Sequence, residues 1–214
     1  RPDGSLMFVV HPKNATPGRL VVERDGGRQV LLDYEDRRIW QPQYDGAGHI
    51  VFERDGSGRG IWALPYDIAS GEVGGEPVLL IEGGGRASVS HTGLLVHLTS
   101  GFISGNEQLV RVDRSGEVLE ELTEVLEAVG GPALSPDGRL LAMSISEGGE
   151  VDIWIRDLRR GTRQRLPHPE VMDLGVEWTP DGREIFFYAM PPVHRTFRRP
   201  LDVTAPLDTI VAGA

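Results

Sequence analysis

A short polar turn followed by an apolar, strand-like run recurs five times along the 214 residues, and this repetition restricts the fold more than any other feature. The clearest copies are Ser135-Pro136-Asp137-Gly138-Arg139 before Leu140–Met143, and Thr179-Pro180-Asp181-Gly182-Arg183 before Ile185–Tyr188. Weaker copies are Pro2-Asp3-Gly4-Ser5 before Leu6–Val10, Tyr44-Asp45-Gly46 before His49–Phe52, and Ser90-His91-Thr92-Gly93 before Leu94–Leu98. Anchored at residues 3, 45, 92, 137 and 181, the copies are spaced by 42, 47, 45 and 44 residues. That period is too long for one hairpin and matches a blade of four short antiparallel strands.

The internal order of each period agrees. A second turn recurs as Asp67-Ile68-Ala69-Ser70-Gly71, Asp113-Arg114-Ser115-Gly116 and Asp157-Leu158-Arg159-Arg160-Gly161. The third unit then divides into strands over Ala87–Ser90, Leu94–Leu98, Gln108–Asp113 and Glu117–Leu122, and the fourth into Gly131–Leu134, Leu140–Ile145, Asp152–Asp157 and Thr162–Leu166. Leu119, Leu122, Leu126 and Val129 also suit a helix, but the repeat register favours a strand ending at Leu122 and then a loop. The expected fold is all-β: a β-propeller of four-stranded antiparallel blades, with about five units near 1–38, 39–82, 83–128, 129–170 and 171–214 in a single domain.

Turn chemistry explains the signature without invoking a ligand. Proline sets φ at the turn entry, aspartate accepts hydrogen bonds from free backbone amides, and glycine takes the positive-φ position. Asp3, Asp45, Asp137 and Asp181 are therefore read as structural, each in its own blade.

The 28 glycines and 15 prolines are spread along the chain, as the connectors of many short strands require. A formal charge of -10 with interspersed acids argues against nucleic acid, and the cluster Arg195, Arg198, Arg199 reads as a solvated strand edge or loop. The absence of cysteine rules out disulfides and thiolate chemistry. No apolar run reaches membrane-spanning length, so no membrane insertion is expected of this segment.

The signature Ser135–Arg139, with the third-strand segment Asp152-Ile153-Trp154-Ile155-Arg156-Asp157-Leu158, resembles the bacterial TolB-like, WD40-like (PD40) propeller repeat. The stretch Gly75–Leu80, then Ala87–Ser90, then Leu109–Gly116, resembles the propeller that follows the kinase domain in some bacterial serine/threonine protein kinases. These resemblances imply a six-bladed ring of which this chain is a part, a module that binds a protein or peptide, and an extracytoplasmic, periplasmic location. Because blades pack face to face, a five-unit piece is expected either to close with fewer blades or to need the missing remainder.

Innermost strands line a propeller's channel, which marks Gln41, Gln43, Arg86, Ser88, Glu177 and Trp178 as candidate binding residues. The plainer alternative is that they hydrate the channel or pack between blades. No catalytic residue is expected. Gly101-Phe102-Ile103-Ser104-Gly105 lacks the nucleophile-elbow spacing, and the kinase motifs are absent. Catalysis would have to lie outside the chain, whether in a kinase or, as the alternative, in a prolyl oligopeptidase-like serine peptidase gated by this propeller. The histidines at 11, 49, 91, 97, 168 and 194 show no metal-ligand spacing, so neither metal nor cofactor is expected. The tryptophans at 40, 62, 154 and 178 read as inter-blade packing with the indole N–H bonded to a neighbouring carbonyl, and the sequon at Asn14 as incidental.

Overall fold

The fold is that of a computed structural model describing residues 4–11, 18–98, 108–113, 116–122, 130–147, 150–166, 173–189, 195–202 and 207–212. Asp3, the sequon at Asn14, Gly101–Gly105, His168 and His194 lie outside these residues, as do Leu126 and Val129. The described residues form twenty strands and no helix, gathered into five antiparallel sheets in chain order. No helix is long and apolar enough to cross a membrane among them.

Blade 1 holds β1 (Leu6–Val10), β2 (Arg19–Arg24) and β3 (Gly27–Asp33). Blade 2 holds β4 (Ile39–Tyr44), β5 (His49–Arg54) and β6 (Gly60–Asp67), with its outer strand divided into β7 (Glu72–Val73) and β8 (Val78–Glu82). Blade 3 comprises β9 (Gly85–Val89), β10 (Leu95–Leu98), β11 (Leu109–Val112) and β12 (Val118–Glu121), so the strand reading holds over Val118–Glu121. Blade 4 comprises β13 (Ala133–Leu134), β14 (Leu140–Glu147), β15 (Glu150–Asp157) and β16 (Arg163–Leu166). Blade 5 comprises β17 (Asp173–Trp178), β18 (Glu184–Ala189), β19 (Arg195–Pro200) and β20 (Asp208–Ala212).

Alternation along the central strands builds the core, because successive side chains point to opposite faces of a blade. In β5, Ile50 and Phe52 turn toward blade 1 and pack with Leu20, Val22 and Ile39, while Val51 turns toward Ala87, Val89 and Leu95 of blade 3. Val96 and Leu98 meet Leu141, Met143 and Ile145 of blade 4, and Ala142 and Ile153 meet Ile185, Phe187 and Phe197 of blade 5. Four cores therefore join five blades in succession. At the end blades, Met7 and Val9 pack on blade 2, whereas Leu6 is 62% exposed and Tyr188 of blade 5 is 42% exposed.

The turns do what their residues dictate, with one change of register. Ser135 Oγ accepts from the Leu140 amide at 2.9 Å and donates to Asp137 Oδ1 at 2.6 Å, which also accepts from the Arg139 amide at 3.0 Å. Thr179, Asp181, Arg183 and Glu184 repeat the arrangement. Gly138 and Gly182 sit at φ of +70° and +68°, as the turn requires. The seryl and threonyl hydroxyls, then the turn amides, hold Asp137 and Asp181 below the usual carboxylate range. In blade 2, however, Asp45 occupies the place of Ser135 rather than of Asp137. Its amide bonds the His49 carbonyl, as the Ser90, Ser135 and Thr179 amides bond Leu94, Leu140 and Glu184. Anchored on these amides, at 45, 90, 135 and 179, the spacing becomes 45, 45 and 44 residues. The unevenness in the sequence came from matching Asp-Gly to Asp-Gly.

The arginine cluster also differs from expectation. Arg195, Arg198 and Arg199 belong to β19, an interior strand of blade 5, where Arg199 is buried and Arg198 faces Glu184 and Asp208 at 3.6 Å each. Arg199 shares a face with Phe197, which packs against blade 4, and charge counting alone does not reveal such a contact.

Candidate binding funnel

At the turn end of the innermost strands lies a funnel of about 310 Å³ with walls from all five blades. Met7 comes from blade 1, Gln43 and Tyr44 from blade 2, Ser88 and His91 from blade 3, Leu134 and Pro136 from blade 4, and Glu177 and Trp178 from blade 5. The lining is about half polar and half apolar.

Four of the six candidates from the sequence meet here, and three of these also tie blades together. Gln43 donates to the Ala87 carbonyl at 3.1 Å and accepts from Ser88 Oγ at 3.2 Å and the Val89 amide at 3.0 Å. Ser88 Oγ in turn accepts from the Leu134 amide at 2.8 Å. Trp178 Nε1 donates to the Ala133 carbonyl at 2.8 Å. A chain of hydrogen bonds thus runs from blade 2 to blade 5 along the funnel wall and holds it rigid. Glu177 stands apart: water reaches its side chain, yet protein crowds it, and this desolvation pushes its pKa above the usual value.

Gln41 and Arg86 lie elsewhere. Each sits four residues before its blade's anchor, roughly 13 Å along an extended strand, at a bulge in the innermost strand with φ of +46° and +48°. The pairing of β4 with β5 shifts between Trp40 and Gln43, and that of β9 with β10 skips Arg86. Blade 5 has its own bulge at Gly175, with φ of +62°, and Gly131 holds the same place in blade 4. A side chain on Gly131 would meet Gln41 Nε2 at 3.2 Å and Arg86 Cβ at 3.7 Å, so three blades converge at this second level. Left-handed backbone at two non-glycine residues stores strain that the surrounding structure must hold in place.

Glu53 is a residue the sequence reading passed over. It is 4% exposed, its Oε1 accepts from the Ala87 amide at 2.9 Å, and burial lifts its pKa to about 6 against the opposing pull of the Arg86 and Arg59 charges. The signal was available, since Glu53 shares strand parity with the buried Val51. The folded state binds this proton more tightly than the unfolded chain, so Glu53 favours folding below pH ~4.5 and loses that contribution as pH rises through about 6. Glu53→Gln keeps the acceptor for Ala87. It is expected to gain about 2 kcal/mol over the parent at pH 7.5 and nothing at pH 4. Denaturant melts of both proteins at the two values measure this, and an equal difference at both would refute it.

The tryptophans divide. Only Trp178 bonds a carbonyl of the next blade; Trp62 Nε1 donates within its own blade to Gly58 at 3.0 Å, Trp40 Nε1 reaches Asp55 Oδ2 at 3.5 Å, and Trp154 Nε1 is buried without a partner. No group of three or more His, Asp or Glu residues is placed to hold a metal ion among the described residues.

Five antiparallel sheets succeeding one another around a funnel built from their innermost strands define a β-propeller. No protein-family model matches the chain. Among solved structures it is similar to TolB from Acinetobacter baumannii, with a TM-score of 0.75 and 19% identity over 98% of this chain and 53% of that one. It also resembles a putative TolB from Agrobacterium tumefaciens, at 0.65 and 19% over 86% of this chain and 65% of the other. A chain of the nidogen/laminin complex matches at 0.70 and 12%, over 97% of this chain and 78% of its own length. The chain therefore spans about half the length of the first TolB structure.

Proposed function

We propose that the chain is a non-enzymatic recognition module that grips a segment of a protein partner in the five-walled funnel. The observation that carries this reading is the funnel itself: walls of mixed polar and apolar character from every blade, tied together by the Gln43–Ser88–Leu134 bonds, around the single crowded carboxylate of Glu177. Concavities whose polar groups are already fixed by hydrogen bonds suit ligand capture with little ordering cost. The suitable occupant is an extended segment with apolar residues and one basic side chain to meet Glu177. The likeness to TolB and to a chain solved in a nidogen/laminin complex supports partner binding, and the TolB likeness supports an extracytoplasmic setting. In the intact protein we place the module beside a serine/threonine kinase domain, as its sensor or docking element.

A photo-crosslinking residue at His91, on the funnel wall, should capture a discrete partner in cells, and one at Val118, exposed on β12, should not. Glu177→Lys should abolish the adduct at His91. Equal capture from both positions, or hydrolysis of a test peptide by the purified chain, would overturn the reading. An open reading frame that continues into a Gly-x-Ser-x-Gly domain instead of a kinase would replace the docking role with that of a peptidase gate.

A further inference from the structure

Between blades 2 and 3, sharing Val89 with the funnel wall, lies a second concavity of about 260 Å³. Its walls are the buried side chains of Val51, Ala63, Val89 and Leu95, with Leu80 beside them. These belong to the core that joins the two blades, so the cleft is a place where that core is incompletely filled; the small side chain of Ala63 opens it. Its polar lining is of one kind. Asp45, His49 and Asp113 contribute to it, and among the described residues no lysine or arginine does.

The geometry fixes what these groups offer. Asp45 Oδ2 accepts from His49 Nδ1 at 3.0 Å, while Asp45 Oδ1 accepts the Ala47 and His49 amides at 2.7 and 2.9 Å. With Nδ1 carrying the proton, Nε2 of the neutral ring is an acceptor. Asp113 Oδ1 accepts the Glu117 amide at 3.0 Å, which sets the orientation of its carboxylate. The cleft thus pairs an apolar floor with acceptors and negative charge. We propose that it is a binding site for a small molecule with a single ammonium head on an apolar body. An apolar ligand gains from the floor in proportion to the area it buries, and the head group meets Asp113 and His49 at the edge. A ligand with an anionic head would meet two carboxylates and is excluded.

The probe is hexylammonium, with 1-hexanol as the neutral comparison, titrated against the full chain with methyl-resolved NMR. Hexylammonium should saturate, with shifts concentrated at the methyls of Val51, Ala63 and Leu95, which the funnel does not share, and should bind more tightly than hexanol. Asp113→Asn retains the acceptor for the Glu117 amide; it should weaken hexylammonium by up to about fivefold, the range of an exposed ion pair, and leave hexanol unchanged. Ala63→Leu, which fills the cleft, should weaken both. Should Ala63→Leu fail to fold, the Asp113→Asn comparison decides alone. Absence of saturable binding, equal affinity for both probes, or shifts centred on the funnel residues would overturn the proposal.

Discussion

Phe52→Ala is expected to cost about 3–5 kcal/mol and to lower the melting temperature by roughly 10 °C. Phe52 is 1% exposed and packs among Leu20, Ile39, Ile50, Leu64 and Tyr66, where blades 1 and 2 meet. Truncation there removes buried apolar area and leaves a cavity that two sheets cannot collapse into, since each is held by its own ladder of hydrogen bonds. With domain stabilities of about 5–15 kcal/mol, such a loss is a third of the total or more. Val118→Ala, on the exposed outer strand of blade 3, serves as the comparison and should change stability by less than about 0.5 kcal/mol. Calorimetry on the two variants reads the contrast. If both melt alike, the assignment of Phe52 to an inter-blade core is wrong.

Gly60→Ala should be as damaging, by a different route. A β-carbon at Gly60 would overlap the Ile81 carbonyl oxygen and stand 2.9 Å from Leu79 Cδ1. Gly60 opens β6, opposite Glu82 of β8, so the obstacle is backbone and no rotamer change relieves it. Overpacking of this kind costs about 1–3 kcal/mol, and more where backbone must move. The expected consequence is loss of the β6–β8 pairing. Amides of β8 should lose hydrogen-exchange protection, and the denaturation midpoint should fall. Gly26→Ala is the control: its φ of +78° makes alanine strained, but nothing lies within 4 Å. It should cost only the left-handed penalty of about 1–2 kcal/mol. A Gly60→Ala protein that keeps β8 protected would show that the close approach is not a constraint.

Much of this architecture was legible because the governing physics is local. The turn residues Ser135, Pro136, Asp137 and Gly138 bond to their own neighbours, so their spacing reports a blade without knowledge of any other blade. The strands expected over Leu140–Ile145 and Asp152–Asp157 correspond to β14 and β15. Reading failed where the local signal was ambiguous. Asp45-Gly46 carries the same letters as Asp137-Gly138, yet Asp45 does the work of Ser135, because an aspartate oxygen can accept the amide bonds that a seryl oxygen accepts elsewhere. Arg199 looked solvated because its strand carries three arginines, whereas it is buried on the face that Phe197 turns toward blade 4.

The candidate funnel shows the same division. That innermost strands would line a channel followed from the blade topology, and Gln43, Ser88, Glu177 and Trp178 do reach one cavity. Gln41 and Arg86 sit instead at bulges and do not line it, since an extra residue in one strand re-aims the side chain.

By itself, then, the sequence determined the class of fold, the number of repeat units and the turn chemistry, all of which depend on contacts a few residues apart and on the period of two along a strand. Tertiary structure alone decided which polar side chains lie between blades and which face the funnel. It also decided that Glu53 is buried beside Ala87, that Gln41 and Arg86 converge over Gly131, and that a cleft remains between blades 2 and 3. Those properties join residues 34–46 positions apart or come from how well two sheets fill the space between them, and no local pattern encodes either.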